Sequence, residues 1–163
     1  MDIRRRARHL IQALGHRRWF AALARPVLAR VERTLFRATR GRLVPTSTVA
    51  PVLLLTTTGR RTGRPRTTPL IYLPDGDRLV VSSEDFGSER PAAWPRNLDA
   101  DPLAWVELPG GVHRLCLARR LDEAEADAYW PRLLEQWPAH ATYRERSGAR
   151  HTFALEPAEA PTR

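Results

Sequence analysis

The sequence predicts a small, mainly β protein: a closed or split antiparallel β-barrel carrying a few helices and preceded by a helical N-terminal segment. Three observations carry this. About six β-prone runs lie between Val52 and Leu155. Gly- and Pro-containing turns punctuate them, as at Pro74-Asp75-Gly76-Asp77 and Pro109-Gly110-Gly111. Only two short segments of that region have helical character, so the strands must cover one another.

Residues 1–40 read as helical. Ile3, Ala7, Leu10, Ile11 and Leu14 recur at helical spacing, Gly15 is a stop, and Phe20, Leu23, Val27, Val31 and Leu35 resume the pattern. Pro26 suits the first turn of a second helix that ends before Gly41. A linker over 44–49 leads to Val52–Thr58 and then to Thr67–Tyr72, the two arms of a hairpin. Arg78–Ser83 is a third strand, followed by a polar loop to Arg90. Pro91–Asp101 is a helix, stopped by Asp101-Pro102. Leu103–Leu108 and Val112–Leu121 are strands. Asp122 caps a helix reaching about Trp137, with His140, Tyr143 and Arg144 on a loop or broken helix beyond it. His151–Leu155 is the last strand. The expected organisation is a basic amphipathic segment over 1–42, a barrel over 43–157 and a tail over 158–163.

Composition narrows the chemistry. The chain has 163 residues, 42% hydrophobic and 28% charged, enough for one domain with a core and too balanced for disorder. The single cysteine, Cys116, forbids an internal disulfide, and its strand pattern makes it a small core residue. The histidines are scattered, so no metal site is expected. Every basic side chain is arginine, which excludes Schiff-base and Walker-type lysine chemistry and suggests a GC-rich genome. The net charge of +9 is concentrated: residues 1–42 hold 12 Arg against Asp2 and Glu32, whereas the rest of the chain is near neutral. The basic character therefore belongs to a segment and not to a nucleic-acid-binding fold. The longest apolar stretch there, Trp19–Ala24, is too short for a signal core or a transmembrane span, so a cytoplasmic protein is expected. Two readings of the segment stand: a peripheral contact with the anionic inner face of the plasma membrane, or a helix packed on its own domain or on a homodimer partner.

The hairpin tip carries the strongest chemical signal. Arg60, Arg61, Arg64 and Arg66 crowd around Gly59 and Gly63 with no acid among them. Guanidinium forks bind phosphate or carboxylate bidentately, and glycine lets backbone N–H groups approach, so the tip reads as an anion cradle. The alternative is a solvated basic turn.

From Leu54 to Leu70 the hairpin reads L-L-T-T-T-G-R-R-T-G-R-P-R-T-T-P-L. This resembles, without a gap, the signature of the deazaflavin-dependent nitroreductase and quinone reductase family, the coenzyme F420-dependent proteins of actinobacteria. Pro91-Ala92-Ala93-Trp94-Pro95-Arg96-Asn97-Leu98 is similar to the family's P-x-W-x-x-N-L block, with one extra alanine. The aromatic stretch from Tyr129 to Tyr143 resembles its tyrosine-rich substrate segment, with Trp137 and His140 in place of two tyrosines. The resemblance covers roughly residues 40–157. It implies a split β-barrel of the flavin-reductase type that passes hydride from reduced F420 to a quinone, nitroaromatic or similar acceptor. Arg60, Arg61, Arg64 and Arg66 would hold the cofactor's phosphate and glutamate tail. Thr67, Thr68, Pro69 and Ile71 would flank the deazaflavin, with Trp94 and Asn97 beside them. Ser83 would face the reactive end, and Trp137, His140 and Tyr143 would meet the substrate. Tyr143, His140 or Ser83 would donate a proton or polarise the acceptor. Glu84 stands where the family often has a basic residue, which weakens an anion contact or leaves it to Arg90. Two alternatives remain open: a barrel that binds FMN or haem, and a non-catalytic protein that binds membrane or nucleic acid.

Overall fold

The computed structural model describes residues 25–41, 46, 50–85 and 91–158, the first five of these as backbone only. The predicted first helix, most of the linker, and the loop holding Arg90 lie outside the described residues. The elements are α1 (Arg25–Thr39), β1 (Val52–Thr58), β2 (Pro65–Asp75), β3 (Arg78–Ser83), α2 (Ala93–Ala100), β4 (Leu103–Leu108), β5 (Val112–Arg120), α3 (Glu123–Gln136), α4 (Ala139–Ser147) and β6 (His151–Pro157). The six strands close a barrel in the order β1-β2-β3-β6-β5-β4, every pairing antiparallel.

Strand alternation fills the barrel. Leu53 and Leu55 of β1, Val81 of β3, Val106 of β4, Cys116 of β5 and Phe153 and Leu155 of β6 share one core, which Trp94 and Leu98 of α2 join. β1 also buries its outer face, because Phe36 of α1 lies on Val52 and Leu54. Cover on both faces explains why β1 reads as the unbroken run Val-Leu-Leu-Leu and not as an alternation. Leu53, Leu54 and Leu55 are each fully buried, worth about 1.5–3 kcal/mol apiece in apolar burial. α3 covers the outer face formed by Leu73, Val80 and Ala154 with Ala126 and Leu133. Its start is a full capping box: Asp122 accepts from the Glu125 backbone N–H, and the Glu125 side chain accepts from the Asp122 N–H.

One part of the barrel wall is open. β2 pairs with β1 from Pro65 to Ile71, but β3 joins it only from Tyr72 onward. The stretch 65–71 therefore keeps a free edge of roughly 20 Å. Arg33 of α1 donates to the Thr67 carbonyl at 3.0 Å. Strand alternation then turns the backbone of Pro69 to the same free side, where a missing N–H breaks no ladder bond.

One boundary differs from the sequence reading. β2 extends three residues past Tyr72 and two before Thr67, because the prolines at 65, 69 and 74 sit where no ladder donor is needed. Of the two readings for His140 and Tyr143, the broken helix holds: the helix breaks at Trp137-Pro138 and both residues lie on α4. It is seated by burial of Ala139, His140 and Tyr143 and stopped by Gly148 at φ 64°. Among the described residues no helix is long and apolar enough to cross a membrane.

Candidate active site

The free edge of β2 joins two unlike regions. At its start is the loop 59–64. Gly59 N–H donates to the Arg64 carbonyl at 2.9 Å, and its own carbonyl receives the N–H groups of Thr62 and Gly63. A Cβ on Gly59 would stand 2.9 Å from the Arg64 oxygen, and Gly63 holds φ 65°, so both glycines are required by the shape of the tip. Asn97 pins the loop to the barrel. Its Oδ1 accepts from the Arg60 backbone N–H at 3.2 Å, and its Nδ2 donates to Thr57 Oγ1 at 3.0 Å. The side chains of Arg60, Arg61, Arg64 and Arg66 are exposed, and no described carboxylate pairs with any of them. Several arginines elsewhere are paired: Arg37 on Glu107, Arg119 on Glu125, Arg120 on Asp99, Arg132 on Asp75 and Arg150 on Asp127.

Along the edge, Thr67 Oγ1 meets Thr56 Oγ1 at 2.8 Å, and Thr68 and Pro69 are half-buried. Ile71 packs between Phe36 of α1 and the Trp137–Tyr143 cluster. Here the edge ends against α4. Ser83 closes β3 and is buried, its Oγ accepting from the Asp85 N–H at 3.2 Å. The next residue, Glu84, is 2% exposed and pairs with His140 Nδ1. Glu84 Oε1 accepts from Ser82 Oγ at 2.6 Å, and the Glu84 carbonyl accepts from Ser147 Oγ at 2.9 Å. Burial pushes the Tyr143 phenol up to about 12, against the opposing hydrogen bond from Trp137, so it stays an O–H donor through the neutral range.

The structure thus gathers Trp137, His140, Tyr143 and Ile71 at one end of the edge and the four arginines at the other. Trp94 goes elsewhere: it is 4% exposed in the barrel core, its ring 5.6 Å from that of Phe153, so its indole is packed and not displayed. Asn97 spends both amide groups on the hairpin and acts by positioning it. Glu84 was read from sequence only as a lost cation. Its partnership with His140 crosses the chain from β3 to α4 and leaves no local signal. Among the described residues no three His, Cys, Asp or Glu side chains converge as a metal site would require.

Known proteins match this geometry. A solved structure described as an F420-H2 dependent reductase, FDR-A, superposes with a TM-score of 0.58 at 26% identity, covering 65% of this chain and 94% of that one. Another, described as a domain-swapped dimer, gives 0.60 at 25% identity, covering 77% and 95%. A heme-binding protein from Mycobacterium smegmatis shares the fold alone, at a TM-score of 0.52 and 21% identity, covering 69% of this chain and 48% of that one. Among sequences, the F420H(2)-dependent quinone reductase Rv1261c of Mycobacterium tuberculosis is 38% identical over 88 residues. That stretch is 52% of this chain and 58% of the relative, so the match spans little more than half of either protein. The profile of the F420H(2)-dependent quinone reductase family matches residues 28–154, which takes in most of α1, β1 to β5, the three helices α2 to α4 and the start of β6. The chain belongs to the F420H(2)-dependent quinone reductase family.

Proposed function

We propose that this protein is an oxidoreductase that binds coenzyme F420 along the free edge of β2 and reduces a quinone, nitroaromatic or similarly activated acceptor at α4. One observation carries the reading: four guanidiniums that no described carboxylate pairs with head a flank of β2 that has no strand partner, and its far end packs on Trp137 and Tyr143. The residues fit the coenzyme, because an exposed cluster of cations without carboxylates suits a phosphate and an acidic tail. The edge suits an extended molecule. When bound, the coenzyme supplies the hydride, and the protein supplies position and dryness. Arg60, Arg61, Arg64 and Arg66 hold its anionic end, and Asn97 fixes their loop. Thr67, Thr68, Pro69 and Ile71 lie along its length, by backbone and apolar contact. Trp137, Tyr143 and His140 receive the acceptor and exclude water, with Ser83 at the rim of β3.

The test is a fluorescence titration of the protein with oxidised coenzyme F420, beside FMN, following tryptophan quenching. Each charge-assisted contact is worth roughly 1.5–3 kcal/mol, so Arg61→Ala with Arg66→Ala should weaken binding about a hundredfold or more. Unchanged affinity in that double variant, or no F420 binding by the parent, would sink the proposal.

A further inference from the structure

We infer that Glu84 and His140 form a proton-delivering dyad, in which His140 protonates the reduced acceptor and Glu84 is the residue that positions it. This rests on the oxidoreductase reading above and deepens it.

Two carboxylate–imidazole pairs stand side by side at the end of β3, and they differ. Asp85 Oδ1 accepts from the Ala92 N–H at 2.7 Å, while Oδ2 lies 3.6 Å from His151 Nε2. The other nitrogen of His151 meets Arg120 at 3.2 Å. Asp85 Oδ1 and His151 Nδ1 each have a partner at hydrogen-bond distance, Oδ2 and Nε2 face each other at ion-pair distance, and the pair ties the ends of β3, α2 and β6 together. In the Glu84–His140 pair only one side is occupied. Glu84 has committed one oxygen to Ser82 and the other to His140 Nδ1, so it cannot swing away. His140 Nε2 is buried and has no hydrogen-bond partner among the described residues. A buried polar atom without a partner is costly, and folded proteins seldom keep one unless something docks on it. An aromatic ring is close: that of Trp130 lies 6.2 Å away, and Tyr143 follows one turn along α4. The ionisable groups facing this pocket are Glu84 and Asp85 from the end of β3, His151 behind Asp85, and Tyr143 and Arg144 on α4. Arg144 and Arg150 lie over the Trp130 ring at 5.1 and 5.6 Å.

The chemistry follows from the tautomer. With Nδ1 held on a carboxylate, that nitrogen carries a proton, so Nε2 is an acceptor in the neutral ring and a donor in the imidazolium. A quinone that takes up a hydride gains two electrons and one proton and becomes a hydroquinone monoanion. The Nε2–H bond of the imidazolium breaks and an O–H bond forms on that anion. His140 is left neutral with Nδ1–H still on Glu84, and a solvent proton restores it. An acceptor with a carbonyl oxygen is thereby favoured over one that needs no proton at the reacting atom.

The test uses the full chain and menadione as the acceptor. In protein labelled with 15N-histidine and saturated with oxidised F420, menadione cannot react. Its addition should move the His140 Nε2 resonance, while Nδ1 keeps its proton on Glu84. With reduced F420, His140→Gln should lower kcat about a hundredfold, leave the coenzyme KM within roughly twofold, and abolish one limb of the pH profile. Glu84→Gln, whose amide oxygen can still accept from Nδ1, should lower kcat less than His140→Gln does. An Nε2–H tautomer, an unmoved Nε2 resonance, or a His140→Gln variant with the parent's kcat and pH profile would overturn the dyad while leaving the oxidoreductase standing. A parent that binds no F420 would remove both.

Discussion

At one end of the free edge of β2, four guanidiniums are exposed with no described carboxylate paired to them. At the other end Trp137 and Tyr143 pack on Ile71, and His140, on the same helix as Tyr143, is buried with the Glu84 carboxylate. The first end is held by its backbone, through Asn97 and the two glycines, and its side chains are left adjustable. The second is held by its side chains, each fixed by a partner. Each arrangement suits what would meet it. A long, multiply charged tail is best gripped by mobile cations whose attraction solvent screens. A reacting atom needs one group in one place, where a low dielectric strengthens every polar contact.

The contrast can be tested from either end. The largest expected effect is at the buried end. Tyr143 keeps its proton to about pH 12 in the folded protein and releases it near 10.0 when unfolded. A phenol raised in this way stabilises the fold fully below pH 10 and loses that contribution as the pH climbs toward 12. Relative to Tyr143→Phe, the parent should therefore lose on the order of 2–3 kcal/mol over that window, read by urea denaturation at a series of pH values. Parallel curves for the two proteins would mean that the pocket around α4 is wet. The next effect is at the tip. Asn97→Ala strands the Arg60 N–H and the buried Thr57 hydroxyl, so stability should fall by ~1–3 kcal/mol. Coenzyme affinity should fall roughly tenfold with it, although Asn97 itself need not touch the ligand. A stability loss without an affinity loss would show that the arginines hold their posts unaided. The smallest effect belongs to the paired arginines of the barrel surface. Arg119→Ala removes an exposed ion pair with Glu125 and should leave thermal denaturation almost unmoved, with coenzyme affinity unchanged. An affinity loss there would mean that any arginine of this chain attracts the coenzyme, and the tip would cease to be special.

The two ends also differ in how far the sequence reveals them. The tip is local: its glycines, arginines and flanking strands lie within one short stretch, and both the hairpin and its charge can be read directly. β1 is legible for a related reason, since an apolar run of that length in a small barrel needs cover on both faces. α4 is less legible. Pro138 precedes it without a side-chain cap, and its apolar pattern is weak, so its helical state comes from packing on Ile71 and Glu84. Trp94 shows a placement that its motif does not announce, its indole packed in the barrel core beside Phe153. The Glu84–His140 pair is created by topology alone, because nothing near either residue announces the other.

Pro69 carries one more consequence. A strand flank with free amides is a template on which another chain can add a strand, and such flanks drive sheet-to-sheet aggregation. On β2 the danger is blunted in two ways: position 69 has no amide to offer, and the neighbouring carbonyl of Thr67 is already taken by Arg33. The barrel can therefore leave a groove open for a ligand without offering a seat to a second polypeptide.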